Sequence, residues 1–272
     1  YRIAVIGDSF TFATQMQFED SFPKVLERML KLNTNGKAVE VLNFGVPGYS
    51  TTHEVGAFRH IRKYSPDMIL LQITLNDPQL KPYVPTGITG QNEFGAVSAD
   101  GLNGLSRYWK TWAFIQMRLH NTRTHTRYKT YYHQLFSTNS QTYRNFQEAL
   151  DSLSKKAAKQ NIAVAAVVFP LFGLPLNDSY PFEDIHEKIA SDLERSKITY
   201  LDLLDAYKGI PLERLQLIPG VDFHPNEIGH RIAAERIYEW FHQEKSIPQD
   251  LTESERFRDR LNIVPEKNNP VS

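Results

Sequence analysis

Short apolar runs alternate along the chain with longer segments whose apolar residues recur at helical spacing. Runs that are apolar on successive positions are typical of parallel strands buried on both faces of a sheet. Because such strands alternate with helices, the pattern predicts an α/β fold, a doubly wound parallel sheet of about five strands with helices on both faces. The predicted strands are Arg2–Ile6, Val39–Asn43, Met68–Thr74, Ala163–Phe169 and Thr199–Leu203.

Helical spacing is clearest in three segments between the predicted strands and in one segment near the C-terminus. In the first segment, Phe22, Leu26 and Leu30 fall on one face, as an amphipathic helix requires. The last segment follows Asn226 and continues through Tyr238. The other predicted helices cover about Asp20–Leu32, Thr52–Tyr64 and Thr142–Gln160.

Residues 79–136 interrupt this alternation and form a predicted insertion after the third strand. The first part is rich in Gly, Pro, Asn and Ser, whereas residues 107–136 are rich in aromatic side chains, Trp109 and Trp112 among them. Because a structureless loop of this length is unusual in a compact domain, we expect a lid or a substrate-binding element. The alternative is a local hydrophobic core. We assign residues 1–246 to one domain and 247–272 to a polar tail that runs over the surface.

The composition excludes several functional classes. A chain of 272 residues suits one α/β domain with insertions or two small domains. Lys and Arg together number 31, as do Asp and Glu, so no basic excess points to nucleic acid or to an anionic membrane. Since there is no cysteine, disulfides, thiolate zinc sites and cysteine nucleophiles are excluded.

The sequence also bears on location. No apolar stretch is long enough to span a bilayer, and no signal peptide is visible. The chain starts at Tyr1 and enters a strand pattern at once, so we expect that an upstream signal or anchor has been removed. That expectation favours a periplasmic or other extracytoplasmic location, whereas a chain without such a segment would be cytoplasmic.

The first candidate for chemistry is Ser9, which follows Gly7 and Asp8 at the end of the first predicted strand. Ligands of open α/β sheets bind at the carboxyl ends of strands. The backbone N–H of Ser9 lies near the start of the following segment, where unpaired amides favour negative charge. The alternative is that Asp8 and Ser9 simply form a turn and a helix cap.

The second candidate is His224, in the segment Asp222-Phe223-His224-Pro225-Asn226. A serine needs a base to accept its proton, and a histidine oriented by a carboxylate supplies one near neutral pH. Taken alone, His224 could equally be a loop residue or lie at a helix entry.

Two further segments follow the second and third predicted strands and therefore lie at the same edge of the sheet as Ser9. They are Asn43-Phe44-Gly45-Val46-Pro47-Gly48 and Leu75-Asn76-Asp77. A glycine lets a backbone N–H approach a substrate closely, and an asparagine offers a side-chain donor, which together could form an oxyanion hole. The alternatives are a turn at Gly48 and a strand-end cap at Asn76.

In this order along the chain, the four segments resemble the four blocks of the SGNH (GDSL-like) hydrolase superfamily, which is named for its Ser, Gly, Asn and His. The resemblance covers most of the chain but neither the insertion nor the tail. It implies a flavodoxin-like sheet and a serine hydrolase that acts on carboxylic ester bonds without a cofactor or a metal. A bound metal is not expected from the residues either, since His120 and His125 lack a zincin pattern.

The resemblance also implies a role for each matching residue. Ser9 would be the nucleophile, His224 the general base and Asp222 the acid that orients the histidine. The oxyanion hole would comprise Ser9, Gly48 and Asn76, with Gly48 rather than Gly45 as the glycine. The residues that would support these loops from behind are Asp8, Asn43 and Asp77.

Two positions depart from the family pattern. Thr74 occupies a position that is usually glycine, so we expect a tighter floor to the pocket. The acid, Asp222, precedes the histidine by two residues rather than the usual three, where Val221 stands instead. The role of Asp222 is therefore less secure than that of His224, and a backbone carbonyl could orient the imidazole instead.

Three functional classes remain open at this stage. The first is a serine esterase that releases acetyl or other short acyl groups from a carbohydrate or a lipid. The second is an O-acyltransferase that moves an acyl group to a polysaccharide with the same residues. The third is a binding module with a vestigial site, against which the complete set of four residues argues. The expected partner is an acylated small molecule or carbohydrate, and the oligomeric state is not predicted.

Overall fold

The computed structural model describes residues 1–33, 37–79, 126–244, 247–248 and 251. Five parallel strands form one sheet, as the apolar runs predict. They are β1 (Arg2–Gly7), β2 (Glu40–Gly45), β3 (Met68–Ile73), β4 (Ala163–Val168) and β5 (Thr199–Asp202). Their order, β2-β1-β3-β4-β5, is that of flavodoxin-like sheets and confirms the predicted fold class.

Helices surround this sheet. Those that the structure describes are α1 (Ser9–Phe12), α2 (Phe22–Asn33), α3 (Thr51–Gly56), α4 (Phe58–Ile61), α5 (126–135), α6 (Gln141–Ala158), α7 (Glu183–Arg195), α8 (Leu204–Tyr207) and α9 (Glu227–Gln243). Short 3₁₀ turns lie at Phe18–Asp20, Arg62–Tyr64 and Leu212–Arg214. Helix α2 packs on α9, and α3 packs on α6. None of these helices is long and apolar enough to cross a membrane.

The core lies on both faces of the central strands. Every residue of β3 is buried, which accounts for its continuous apolar run. One polar side chain, Gln72, is also buried within this strand.

A second, antiparallel pair of strands was not predicted from the sequence. It comprises β6 (Gln216–Ile218) and β7 (Asp222–Pro225), in which Ile218 pairs with Asp222. The segment that carries His224 is therefore a strand, and not the loop or helix entry that the sequence left open. Helix α7 was not predicted either.

The structure corrects two further expectations about secondary structure. The predicted helix Thr52–Tyr64 is broken at Ala57, where α3 ends and α4 begins. The tail does not run over the surface at its start, because Ile247 and Leu251 are buried in the core. Both side chains are apolar, so their burial removes apolar surface from water.

The predicted insertion is described only from residue 126 onward. Helix α5 buries Tyr128 and Tyr132, and Phe136 follows it into the core. This part of the insertion therefore packs on the rest of the domain. Residues 80–125, which include Trp109, Trp112, His120 and His125, lie outside the described residues.

Candidate active site

The candidate nucleophile lies directly beyond the central strand β1. Its neighbour Asp8 caps α1, since one carboxylate oxygen accepts the backbone N–H of Phe10 at 2.9 Å. This cap fixes the turn from strand to helix, and Ser9 is the first helical residue. The hydroxyl of Ser9 therefore stands at the carboxyl edge of the sheet, where the sequence placed it.

Ser9, His224 and Asp222 form one hydrogen-bonded chain. The Ser9 Oγ lies 2.9 Å from His224 Nε2, and His224 Nδ1 lies 2.6 Å from Asp222 Oδ1. The same carboxylate oxygen accepts the backbone N–H of His224 at 3.0 Å. All three side chains are partly buried. The geometry joins a hydroxyl, an imidazole and a carboxylate in the order that nucleophilic catalysis uses.

The two-residue spacing between acid and histidine follows from strand β7. Alternate side chains of a strand point to the same face, so residues i and i+2 can bond to each other directly. Asp222 and His224 are related in this way. The carboxylate rather than a backbone carbonyl bonds to the imidazole.

The two glycines after β2 have different surroundings. Gly48 lines the pocket with a φ of 78°, a conformation that favours glycine. Gly45 packs against α1 so closely that a Cβ there would lie 2.3 Å from the backbone nitrogen of Phe12. Gly48 thus faces the pocket, as the sequence predicted, while Gly45 lets β2 approach the helix that begins with Ser9.

Asn76 also lines the pocket, and its side chain is oriented by Thr74. The Thr74 hydroxyl hydrogen-bonds to Asn76 Oδ1. The Asn76 amide nitrogen donates to no described residue, so it is available to a ligand. Thr74 itself is fully buried and does not line the pocket. The threonine lies behind the cavity and anchors the asparagine.

The three predicted supporting residues lie behind these loops. Asn43 donates to the backbone oxygen of Thr11 at 2.7 Å and accepts the N–H of Gly45 at 2.9 Å, which ties the end of β2 to α1. Asp77 accepts the Thr51 hydroxyl and the backbone N–H of Thr74, each at 2.6 Å. The remaining residue, Asp8, accepts the Thr74 hydroxyl at 3.0 Å.

Sequence reasoning missed two buried polar residues next to these groups. Gln72 Oε1 accepts the backbone N–H groups of Asp8 and Thr11, each at 3.2 Å, and the Thr11 hydroxyl at 2.8 Å. The sequence does carry a signal for this residue, because Gln72 is the single polar residue within the apolar run of β3. The second residue is Glu54 of α3, whose two buried carboxylate oxygens have no hydrogen-bond partner among the described residues.

Glu54, Asp77 and Asp8 form a buried carboxyl cluster. Burial and then the neighbouring charge of Asp8 raise the pKa of Asp77 to about 8. Burial, followed by the charges of Asp77 and Asp8, holds the pKa of Glu54 well above its ordinary range. Burial also raises the pKa of Asp8, although the hydrogen bonds from Phe10 and Thr74 oppose it. The cluster therefore retains protons at neutral pH.

A cavity of about 560 Å³ opens onto Ser9. This volume is within the range of small-molecule sites. The lining combines aromatic rings with a few polar side chains. The aromatic members are Phe10, Tyr49, Tyr128, Tyr131, Tyr132, Phe172 and Phe223, and the polar ones beside Ser9, Asp222 and His224 are Gln15, Asn76 and Gln79. Within the described part of the chain, no group of three or more His, Asp or Glu residues could hold a metal ion.

The fold and this site define a class of protein. A serine bonded to a histidine that is bonded to a carboxylate, at the carboxyl edge of a parallel sheet, is the arrangement of a serine hydrolase. The model of the GDSL-like lipase/acylhydrolase family matches residues 5–232. The chain belongs to this family and is a serine hydrolase of ester bonds, as the resemblance of its four segments implied.

Several solved structures share the fold at low sequence identity. The α/β hydrolase LAE5 from the metagenome of Lake Arreo, Spain, is 14% identical with a TM-score of 0.55, over 93% of this chain and 96% of that chain. The esterase EstA from Pseudoalteromonas sp. is 15% identical with a TM-score of 0.52, over 90% of this chain and 99% of that chain. A catalytic mutant of Axe2, an acetylxylan esterase from Geobacillus stearothermophilus, is 14% identical with a TM-score of 0.54. The match covers 93% of this chain and 96% of that chain. No curated protein sequence gives a significant match.

Proposed function

We propose that this protein hydrolyses acetyl and other short acyl esters of a carbohydrate, with Ser9 as the nucleophile. The observation that carries the proposal is the hydrogen-bonded chain from Ser9 through His224 to Asp222, open to a cavity of about 560 Å³. Membership of the acylhydrolase family supports the ester chemistry.

The first half of the reaction is acylation of Ser9. The Ser9 oxygen attacks the ester carbonyl while His224 Nε2, 2.9 Å away, accepts the hydroxyl proton. Asp222 fixes the tautomer by accepting from Nδ1 and stabilises the positive charge that develops on the ring. The protonated imidazole then donates its proton to the departing alcohol oxygen, and the acyl group remains on Ser9.

Negative charge on the carbonyl oxygen needs donors that are already in place. We assign this role to the backbone N–H groups of Ser9 and Gly48 and to the Asn76 amide. The contact between Thr74 and Asn76 supports the assignment, because a fixed amide loses little entropy when the transition state forms. Hydrolysis of the acyl-enzyme follows when His224 deprotonates a water molecule, which attacks the same carbonyl.

The lining of the cavity supports a short acyl group on a polar alcohol. Tyr128 packs so closely on Gly173 that a Cβ there would lie 2.9 Å from the tyrosine hydroxyl, so no acyl chain can pass between these two residues. Gln15, Gln79 and Tyr131 supply amide and hydroxyl groups elsewhere in the lining. Aromatic rings with amides suit a sugar, whose faces are apolar and whose edges are hydroxyls.

Labelling with a fluorophosphonate tests the nucleophile. We expect Ser9→Ala to lose both labelling and hydrolysis of p-nitrophenyl acetate, and His224→Ala to lose nearly all activity while it still folds. Ser179→Ala changes an exposed serine remote from the site and serves as the control. Unchanged labelling of the Ser9→Ala variant would overturn the assignment.

A substrate panel tests the acyl group and the alcohol. Esters of increasing chain length and acetylated oligosaccharides are assayed with and without a free oligosaccharide as acceptor. We expect the acetyl ester to be cleaved fastest, with release of acetate that does not depend on the acceptor. Acyl groups recovered on the acceptor would instead identify an acyltransferase, and faster cleavage of long-chain esters would identify a lipid substrate.

A further inference from the structure

Gln15 has a backbone conformation that a glutamine rarely adopts. It lies in the turn after α1 with a φ of 62°, in the left-handed region. A non-glycine residue there is strained, and such strain is often found at functional sites. Its side chain is exposed at the edge of the cavity, so packing in the core does not account for the residue.

The side chain of Gln15 reaches the acid of the candidate triad. Gln15 Nε2 donates to Asp222 Oδ2 at 3.3 Å. The other carboxylate oxygen, Oδ1, accepts from both the ring and the backbone N–H of His224. Within the described part of the chain, Gln15 is the one hydrogen-bond donor to Oδ2.

This second contact has a mechanical consequence. A carboxylate that is held through one oxygen can still rotate about its bond to Cβ, which would tilt Oδ1 away from the imidazole. A donor on the other oxygen removes this freedom and fixes the plane of the group.

We propose that Gln15 is a positioning residue of the active site, which holds the Asp222 carboxylate in the plane of the His224 imidazole. The inference rests on the proposed function, in which Asp222 orients the base. The contact links the segment that begins with Ser9 to the strand that carries the histidine, since Gln15 lies six residues after the nucleophile and α1 contacts β7. The left-handed backbone at Gln15 aims the amide at the acid.

The test separates the amide of Gln15 from its backbone strain. Gln15→Gly removes both the contact and the strain, whereas Gln15→Asn keeps an amide and tolerates the left-handed region but is one methylene too short. Ala13→Gly is the matched control, because Ala13 has a φ of 59° in the same turn and does not line the cavity. Gln15→Glu places a second carboxylate beside Asp222.

We expect Gln15→Gly and Gln15→Asn to lower kcat about three- to tenfold with KM changed less than twofold, as the loss of one exposed hydrogen bond to a charged group allows. Ala13→Gly should leave kcat unchanged. In Gln15→Glu, the added negative charge favours the protonated imidazole, so the acid limb of the kcat/KM profile should move to higher pH. Two further titratable groups, Asp8 and His230, interact electrostatically with His224, and neither is changed in any of these variants.

Other outcomes would overturn the inference. Gln15 variants with the kcat and pH profile of the Ala13→Gly control would show that the residue only forms the turn. A rise in KM for the oligosaccharide ester, with kcat and small-ester hydrolysis unchanged, would show that it binds substrate instead. Fluorophosphonate titration of Ser9 in each variant keeps this result apart from the proposed nucleophile, because that assignment fails if Ser9 of the wild type is unreactive.

Discussion

Thr74 illustrates how much of the site depends on a single hydroxyl. Three acceptors surround it, on Asp8, Asn76 and Asp77. One hydroxyl has one proton, so it satisfies a single acceptor fully at any moment. A neighbouring carboxyl that carries its own proton relieves this shortage, in agreement with the raised pKa of Asp77.

Removal of this hydroxyl should release the Asn76 amide. We expect Thr74→Val, which keeps the shape of the side chain, to lower kcat about tenfold with little change in KM, because a misaligned donor affects the transition state more than substrate binding. Thr74→Ser retains the hydroxyl and should keep most of the activity. Steady-state kinetics on a small acetate ester measure the difference, and equal losses in both variants would contradict the prediction.

The short contact between Asp222 and His224 makes a second prediction at this scale. Because the carboxylate lies 2.6 Å from the ring nitrogen, we expect Asp222→Asn to lower kcat by a factor on the order of 10³–10⁴. Asparagine leaves the shape intact but cannot favour the same tautomer or stabilise the imidazolium. A loss below about tenfold, against a near-total loss in His224→Ala, would show that the acid is dispensable.

At the scale of elements, the contact of β2 with α1 determines where the nucleophile lies. A Cβ on Gly45 would be 2.3 Å from the Phe12 nitrogen and 2.7 Å from the Thr11 carbonyl carbon. Both atoms belong to the backbone of α1, which cannot move aside as a side chain could. The helix that begins with Ser9 therefore depends on a glycine in the neighbouring strand.

We expect Gly45→Ala to destabilise the fold by about 1–3 kcal/mol, as overpacking does, and to lower kcat in the protein that remains folded. Gly56→Ala is the control, since a Cβ at Gly56 meets nothing within 4 Å. Thermal melting and kinetics on both variants check the prediction. A Gly45→Ala variant with wild-type melting temperature and kcat would show that α1 adjusts freely.

Helix α2 is joined to α9 by an unusual hydrogen bond. His230 Nδ1 accepts the backbone N–H of Phe22 at 3.2 Å, and its ring stacks on that of Phe22. Accepting this bond requires an unprotonated Nδ1. Burial lowers the pKa of His230 to about 3, so the histidine joins the two helices as a neutral side chain.

At the scale of the whole molecule, the buried carboxyl cluster makes stability depend on pH. Asp77 ionises near pH 8 in the folded protein but near its ordinary value in the unfolded chain. The folded state therefore binds more protons between about pH 4 and 8, and stability falls as pH rises through this window. The raised pKa of Glu54 acts in the same direction.

Glu54→Gln removes one ionisable group while it preserves the shape. We expect the melting temperature of this variant to exceed that of the wild type by a margin that widens from pH 5 to pH 9. Glu187→Gln, an exposed position on α7, is the control and should show no such trend. Parallel melting curves for Glu54→Gln and the wild type at every pH would contradict the role given to the cluster.

The sequence predicted those features that a local pattern records. Apolar runs located β1 and β3, and four short segments located Ser9, Gly48, Asn76 and His224. Glu54 escaped detection because its burial depends on how α3 packs and not on its neighbours in sequence. The contact of Gln15 with Asp222 joins residues 207 positions apart and needs a left-handed backbone. Strands β6 and β7 are too short for alternation to be recognised.

The separation of Ser9 from His224, 215 positions along the chain, has a consequence for biosynthesis. A ribosome synthesises Ser9 long before His224, so no nascent or truncated chain that stops short of residue 224 can possess the site. Long-range contacts of this kind also form late in refolding, because distant segments must meet. Ester hydrolysis should therefore return late in refolding, and a dilute assay of activity would report when the segments that carry Ser9 and His224 have met.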